Sequence, residues 1–375
     1  MLGNSIKFLI TSYWRSIDKK ILLSFLVLFF LGLFFSFSST STIAAEKMNK
    51  QTYFFFLKHL IFVLISLFLL ILISSQDKTI LIRFFPIIFL ISIFCLSMVP
   101  ILGVEVKGSK RWIDLFFLPK FQPIELVKPL FIVYVGKIIA IDQKLNINTR
   151  YLYSFAILLM ILVFLIYQPD LGQALLLTAS WITMIFISGF NMLILLVLVF
   201  LFLTIIGLSI FFLPEKFGYI FLRMKTFFDP KSGDTFQSER ALDAIKQGGL
   251  TGQGMGEGIL KDKVPEAHTD YIIAVISEEF GAIFILFVVI IFLIIAYKVF
   301  TKVFSERDEF IKLTLVGLVS LLVIQTFIHI GVNARLIPTT GMTLPFLSYG
   351  GSSLIGNSIL AGIILNLTRK DSTRF

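Results

Sequence analysis

The stretch VPEAHTDYIIAVISEEFG, residues 264–281, joins a polar segment to an apolar one. Its polar half carries Glu266, His268 and Asp270, and its apolar half reads as a helix that contains two further glutamates. Charged groups are costly at a membrane, so an acid there is a functional candidate by default. We therefore expect Asp270 to lie at a membrane boundary and to act as a base on a lipid-borne, anionic substrate.

The composition is that of an integral membrane protein. Of the 375 residues, 57% are hydrophobic and 15% are charged, whereas soluble domains average about 45–50% and about 25%. The formal net charge is +10. In a membrane protein such a charge marks cytoplasmic loops and contacts with anionic lipids, so we expect no nucleic-acid partner. The single cysteine, Cys95, can form no intramolecular disulfide.

Apolar runs long enough to cross a bilayer recur along the chain. About 20 apolar residues span the hydrocarbon core as a helix, and backbone groups in lipid must pair internally, which favours helices over open sheets. The expected fold is an all-α integral membrane protein with one domain, residues 1–375, and about ten transmembrane helices. We predict these helices near residues 21–39, 57–74, 79–100, 124–141, 151–167, 171–189, 191–213, 270–297, 311–333 and 350–367.

Basic residues orient these spans. With the N-terminus inside, the inner segments hold more Lys and Arg than the short outer loops, and this bias favours cytoplasmic termini. Residues 1–20 and 368–375 are then cytoplasmic, and residues 215–269 form one large extracytoplasmic loop between helices seven and eight. The first apolar run could instead be a signal peptide, but it is longer than the usual apolar region of about 7–15 residues.

Three outer segments, residues 98–123, 215–269 and 335–353, are more polar than simple connections need to be. Loops longer than about 12–15 residues are usually functional or disordered, and in this topology all three emerge on the same side. Their basic residues are either ordinary surface charge or the binding site of an anionic headgroup such as a diphosphate.

Several polar residues near these segments have both a structural and a functional interpretation. Glu125 and Lys128 lie on one helix face, and they form either a neutralising ion pair or a site in which the lysine meets a phosphate. Asp170 either caps the following helix or belongs to the wall of a substrate cavity. The glycines between residues 248 and 258 are typical of a flexible loop, since no Gly-Lys-Ser/Thr follows them.

Six motifs, in this order and on about ten spans, resemble those of the SEDS family, the polytopic FtsW and RodA peptidoglycan polymerases of bacteria. They cover nearly the whole chain and read KGSKRWIDL (107–115), QPIELVK (122–128), QPDLG (168–172), GQGMGEG (252–258), PEAHTDYIIAVISEEFG (265–281) and LIPTTGMTLPFLSYGGSS (336–353). The stretch 254–258 followed by Lys261, and the alanine of PEAHTD, resemble FtsW, the division member, more than RodA, the elongation member.

This resemblance implies a glycosyltransferase that polymerises lipid II, the undecaprenyl-diphosphate-linked disaccharide pentapeptide, during septal cell-wall synthesis. The aspartate of the HTD motif is essential for polymerisation in the family, which makes Asp270 the expected catalytic residue and general base. The expected substrate-binding residues are Lys107, Arg111, Trp112, Lys120, Gln122, Glu125, Lys128, Asp170, Glu266, His268, Thr269, Ser348, Ser352 and Ser353.

The resemblance also implies partners and a location. We expect a class B penicillin-binding transpeptidase and other divisome membrane proteins as partners, in the bacterial cytoplasmic (inner) membrane at the division septum. No Cys/His cluster has zinc spacing, so no resident metal site is expected. Mg²⁺ or Mn²⁺ could nevertheless bridge the diphosphate, without a dedicated cage of protein ligands.

Three other functions remain open from the sequence alone. The protein could be a RodA-type polymerase of cell elongation, or a scaffold that activates a partner synthase. It could also be a lipid II flippase, which would need a polar path through the bilayer. Such a path could be lined by Glu125, Lys128, Glu278 and Glu279.

Overall fold

Helices make up most of this protein, because its apolar runs must satisfy their backbone hydrogen bonds internally. The computed structural model describes residues 11–39, 54–106, 109–114, 120–141, 146–197, 199, 200, 204, 207, 214–229, 235–260 and 263–370. The principal helices are α1 (Lys19–Ser39), α2 (Phe54–Ser75), α3 (Lys78–Leu102), α4 (Pro123–Ala140), α5 (Ile147–Tyr167), α6 (Leu171–Ile187), α7 (Pro214–Phe228), α8 (Phe236–Gly248), α9 (Ile272–Ser305), α10 (Glu309–Asn333) and α11 (Gly351–Thr368), and the strands are β1 (Gly103–Val106) and β2 (Ser109–Ile113).

Seven of these helices, α1, α2, α3, α5, α9, α10 and α11, are long and apolar enough to cross a membrane. The chain is therefore a multi-pass membrane protein. Helices α4 and α6 lie where the sequence predicts spans but are not among these seven. Helix α6 is apolar but has only 17 residues, and α4 carries the charged residues Glu125, Lys128 and Lys137. The predicted span over 191–213 lies largely outside the described residues.

The bundle has an apolar outer surface and a buried interior. Helix α2 exposes Leu57, Ile61, Leu64 and Phe68, which recur at steps of four, three and four and therefore lie on one face. This face is the one that would contact lipid. Helices α10 and α11 are buried over most of their length and form the centre of the bundle.

A β-hairpin lies between α3 and α4, where the sequence predicted only a polar loop. Its strands pair antiparallel, with Val104 opposite Trp112, and Ile113 bridges to Phe121 just before α4. A hairpin of this length is marginal alone and depends on the surface it packs against, so the local sequence gives little sign of it. The expectation of an all-α protein is correct for the membrane bundle and misses this element, which carries Arg111.

The segment predicted as one long loop, residues 215–269, contains two helices, α7 and α8. Helix α8 packs against the start of α9, where its buried Ala241 and Ala244 meet Tyr271 and Ala274. Small residues at this contact let the two helices approach closely.

Helix α9 is interrupted at Gly281, whereas the sequence predicted one continuous span over 270–297. Gly281 has φ 77° and ψ 177°, a conformation essentially restricted to glycine. A Cβ at this position would lie 2.2 Å from the carbonyl oxygen of Leu250. The two backbone N–H groups that follow donate to the carbonyls of Gly249 and Leu250, at 3.0 and 3.2 Å. The regular helix is therefore broken at Gly281. The part of α9 before this residue is packed against the segment around Leu250, and the longer part begins after it.

The glycine-rich loop, residues 248–258, packs onto this interruption and is more than the flexible connection that the sequence suggested. The buried glutamates of α9 hold the loop and the residues just after it. Glu278 accepts a hydrogen bond from the N–H of Leu260 at 2.7 Å, and Glu279 accepts one from the N–H of Gly256 at 3.2 Å. These two acids therefore have a structural use at the point where α9 is broken.

Helices α2 and α11 are joined at the end of the bundle remote from the hairpin. The side chains of Asn366 and Arg369 donate to backbone carbonyls of residues 73–76, at 2.6–3.4 Å. The N–H of Lys370 donates to the carbonyl of Ser16 at 2.9 Å. We call these residues the far-end cluster. The cluster satisfies the last carbonyls of α2, which a helix end otherwise leaves unpaired.

Candidate active site

A cavity of about 590 Å³ lies at the hairpin end of the bundle, and Asp270 is in its wall. We call it the main cavity. Its wall is built by the hairpin, the N-terminal half of α2, the first turns of α4, α6, α8 and α11, the residues just before α9, and the segment 339–343, with single residues from α7 and α10. Of the residues that the sequence predicts to bind substrate, the wall contains Arg111, Trp112, Lys120, Gln122, Glu125, Glu266, Thr269, Ser352 and Ser353.

Asp270 and Arg111 face each other across Gly341. A Cβ built on Gly341 would lie 3.6 Å from Arg111 Nη1 and 3.6 Å from Asp270 Oδ2. The φ of Gly341 is +69°, in the left-handed region that glycine adopts without strain. A glycine here keeps open the space between a carboxylate and a guanidinium, which is the space a reacting group would need.

The side chain of Arg111 is fixed by hydrogen bonds to the segment between α5 and α6. Its Nε donates to the carbonyl of Gln168 at 3.1 Å, and its Nη2 donates to the carbonyl of Pro169. Asp170 Oδ2 lies 3.8 Å from the Arg111 Nε. Burial raises the pKa of Asp170, and the charge of Arg111 opposes that rise. The guanidinium is thus fixed on one side, and its Nη1 remains on the side of Gly341.

Asn333, at the end of α10, holds the main chain of Asp270. Its Nδ2 donates to the Asp270 carbonyl at 3.0 Å and to the His329 carbonyl at 2.9 Å. Its Oδ1 accepts from the N–H of Ala274 at 3.3 Å, an N–H in the first turn of α9 that also donates to the carbonyl of Tyr271 at 3.0 Å. Asn333 is fully buried, so one amide fixes both Asp270 and the helix that follows it.

Tyr271 lies in the wall of the main cavity, within the electrostatic influence of both Asp270 and Arg223. Burial, and to a smaller extent the charge of Asp270, raise the pKa of the Tyr271 phenol to about 12, and the charge of Arg223 opposes the rise. The phenol therefore remains protonated at physiological pH and places no second negative charge beside Asp270. Arg223 Nη1 donates to the carbonyl of Thr339 at 3.3 Å.

Polar residues at the start of α4 form another part of the cavity wall and are linked by hydrogen bonds. The N–H of Gln122 donates to Ser352 Oγ at 3.0 Å, and its side-chain amide donates to Asp170 Oδ2 at 3.2 Å. Glu125 Oε1 accepts from Gln173 Nε2 at 2.9 Å. These contacts fix the polar groups of α4, α6 and α11 relative to one another.

Some of the predicted site residues do not reach the main cavity. Lys128, Asp170, His268 and Ser348 are not in its wall, and Lys107 lies outside the described residues. Lys128 Nζ is 2.9 Å from Glu125 Oε2 and 3.2 Å from Gln325 Oε1, which matches the ion-pair interpretation. Ser348 Oγ donates to the carbonyl of Thr269 at 2.7 Å, so it supports the Asp270 segment from behind.

Sequence reasoning missed several residues of the site. Arg223, Tyr271 and Gln173 are in the wall, and Asn333 is behind it. Arg223 lies on α7, whose amphipathic pattern could have indicated a helix. The sequence instead predicted one loop over all of residues 215–269. Asn333 gave no signal of its own, because its role depends on how α10 and α9 meet.

Among the described residues, no group of three or more His, Cys, Asp or Glu side chains could hold a metal ion. Glu266 and Asp270 are both in the wall of the main cavity, but Mg²⁺ needs about six oxygen ligands. A divalent cation would therefore depend on oxygens supplied by a substrate.

Solved structures share this fold. A chain from a peptidoglycan synthase complex, whose structure addresses the coordination of polymerization and crosslinking, superimposes with a TM-score of 0.75 at 21% identity, over 95% of this chain and 98% of that one. The rod shape determining protein RodA of Thermus thermophilus gives a TM-score of 0.69 at 21% identity, over 95% of this chain and 97% of the other. At these identities the similarity shows the fold.

Sequence relatives give the family. A probable peptidoglycan glycosyltransferase FtsW of Caulobacter vibrioides is 34% identical over 96% of this chain and 90% of its own length. Stage V sporulation protein E of Bacillus subtilis is 32% identical over 96% of this chain and 99% of its own length. The family model for FtsW, RodA and SpoVE, described as cell cycle proteins, matches residues 18–373. The chain therefore belongs to the FtsW, RodA and SpoVE family.

Proposed function

We propose that this protein is a peptidoglycan glycosyltransferase that polymerises lipid II into glycan strands, with Asp270 as the general base. The observation that carries the proposal is the main cavity, in which Asp270 faces Arg111 across Gly341. Lys58 and Lys120 add positive charge to the same wall. Relatives described as probable peptidoglycan glycosyltransferases support the same activity.

The proposed reaction needs a base and cations but no covalent nucleophile, because the sugar donor carries a lipid diphosphate as its leaving group. Asp270 would take the proton of the attacking sugar hydroxyl while the new C–O bond forms and the bond to the diphosphate oxygen breaks. A positioned base typically contributes about 10²–10⁴-fold. Fixed cations such as Arg111 stabilise the charge that develops on the leaving diphosphate. A divalent cation, Mg²⁺ or Mn²⁺, would enter with the diphosphate, near Glu266 and Asp270.

The division role is proposed from the sequence relatives. Several relatives that are 31–34% identical over most of this chain are named FtsW, which supports septal rather than lateral wall synthesis. A RodA-type role in elongation is the alternative. We propose a class B penicillin-binding transpeptidase and other divisome membrane proteins as partners. The similar chain in a peptidoglycan synthase complex supports the first of these.

The sidedness of the protein is supported by the far-end cluster. Lys370 contacts Ser16, so the described ends of the chain meet at one end of the bundle. Helix α11 runs from the main cavity to this contact and is long and apolar enough to cross a membrane. We propose that both termini are cytoplasmic and that Asp270 lies on the outer side of the cytoplasmic membrane.

The main alternative, a lipid II flippase, has less support. Its polar path would use Glu125, Lys128, Glu278 and Glu279. The first two pair with each other at 2.9 Å, and the other two accept backbone N–H groups from the glycine-rich loop and the residues just after it. All four side chains are therefore used in contacts within the protein, which gives less support to a polar path lined by them.

Purified protein, with its transpeptidase partner, tests the proposal directly. In detergent with fluorescent lipid II, we expect ladders of glycan strands on a gel. In liposomes with lipid II on one face, we expect no transfer of the lipid to the other face. Transfer without ladders would contradict the polymerase and support the flippase.

Asn333→Ala should lower the turnover rate about ten- to a hundred-fold, because small displacements of a catalytic group have effects of this size. The lipid II concentration at half-maximal rate should change little, since Asn333 is not in the cavity wall. The matched control is Asn366→Ala, which removes another fully buried amide that donates to backbone carbonyls. Equal rates per folded molecule in the two variants would show that Asn333 is only structural.

A further inference from the structure

A second, smaller cavity adjoins the main cavity. Its volume is about 200 Å³, and it shares Arg223, Val332 and Thr339 with the main cavity. Arg335 is also in its wall. Two guanidinium groups therefore line a space that continues from the Asp270 site, and the proposed reaction described above does not use them.

Arg335 has a donor that lacks an acceptor. Its Nη1 lies 3.7 Å from Glu239 Oε1, whereas its Nη2 is buried and has no hydrogen-bond partner among the described residues. A buried donor without a partner is costly. The backbone of Arg335 also has φ +56°, which is uncommon for a residue with a side chain. A guanidinium with an unused donor in the wall of a cavity is the arrangement expected of an anion-binding group.

Arg223 connects this space to the reaction site. It lines both cavities, and its Nη1 donates to the carbonyl of Thr339 at 3.3 Å. Thr339 begins the segment that leads to Gly341, where Asp270 and Arg111 face each other. The main cavity therefore holds Arg111 and Lys120 together with Asp270, the second cavity holds Arg335, and Arg223 lies in the walls of both.

We propose that Arg223 and Arg335 bind the diphosphate of a second lipid-linked substrate. This inference rests on the proposed function, because joining two lipid-linked sugars requires that both be held while only one diphosphate leaves. One cationic group would bind the diphosphate that departs, and the other would bind the diphosphate that stays. Arg is suited to this because its planar guanidinium can make paired hydrogen bonds to phosphate oxygens.

The test counts lipid II molecules bound to an inactive protein, Asp270→Asn, so that no product forms. We expect two labelled lipid II molecules per chain. Adding Arg335→Gln should weaken the second site about ten- to a hundred-fold, as expected for a lost hydrogen bond between charged groups, and leave the first site intact. The remaining site reports that the variant is folded. Arg240→Gln is the control, since Arg240 is an exposed arginine of α8 paired with Asp243.

Two competitors identify what the second site recognises. Inorganic pyrophosphate and undecaprenyl diphosphate should both displace lipid II from the Arg335-dependent site, with the lipid effective at lower concentration. Displacement by neither would overturn the proposal, as would two equal sites in the Arg335→Gln protein. If the wild-type protein makes no glycan, the proposed function fails, whatever the stoichiometry. If it makes glycan and Arg335→Gln changes neither binding nor the half-saturating concentration, only the second-site inference fails.

Discussion

Replacing Asp270 with asparagine is expected to lower the rate of glycan polymerisation about 10²- to 10⁴-fold, the range that a positioned general base supplies. Asparagine has nearly the same shape but cannot take a proton from the acceptor hydroxyl. The Asp270 carbonyl would still accept from Asn333, so the loop should keep its conformation. The measurement is the initial rate of strand formation from fluorescent lipid II, together with lipid II binding, which should persist.

The control for this experiment is Asp243→Asn. Asp243 is a half-exposed acid on α8 that pairs only loosely, at 3.9 Å, with Arg240. The same change of carboxylate to amide there should leave the rate as in the wild type. Glycan ladders made at an undiminished rate by the Asp270→Asn protein would refute the role of this carboxylate as base.

Replacing Lys128 with methionine should destabilise the protein by about 3–5 kcal/mol, the effect of removing one partner of a buried ion pair. Lys128 is 1% exposed and Glu125 is 3% exposed, so the substitution leaves a carboxylate without its cation inside the bundle. Removing both charges in the double variant Glu125→Gln, Lys128→Met should restore most of the lost stability. Thermal unfolding in detergent measures all three proteins.

The exposed pair on α10 is the matched control for Lys128. Lys312 Nζ lies 3.0 Å from Glu309, with both side chains partly exposed, and Lys312→Met should change stability by no more than about 1 kcal/mol. A Lys128→Met protein that is as stable as the wild type but needs more lipid II would instead assign Lys128 to substrate binding.

The membrane bundle could be predicted from the sequence because its signal is local. A run of apolar residues about 20 long can be read without knowing its neighbours, and the motifs around Arg111, Gln122 and Asp270 lie at the ends of such runs. The structure brings these three residues to one cavity wall.

What sequence reasoning missed depends on contacts between distant parts of the chain. The break at Gly281 requires the approach of Leu250, which nothing near residue 281 encodes. The hairpin that carries Arg111 and the helix that carries Arg223 lie in segments whose composition resembles a loop. Asn333 acts through the meeting of α9 and α10, so its role appears only once the two helices are packed.

The far-end cluster has a mechanical consequence for the main cavity. Helices α2 and α11 each contribute residues to the cavity wall at one end, Lys58 and Ser352 among them, and are tied together at the other through Asn366 and Arg369. The two helices also pack closely at the cavity end, where a Cβ on Gly351 would lie 2.4 Å from the Phe62 ring. The part of the cavity wall that this pair builds is therefore held from both ends, and a bulky headgroup would meet a wall that is already formed.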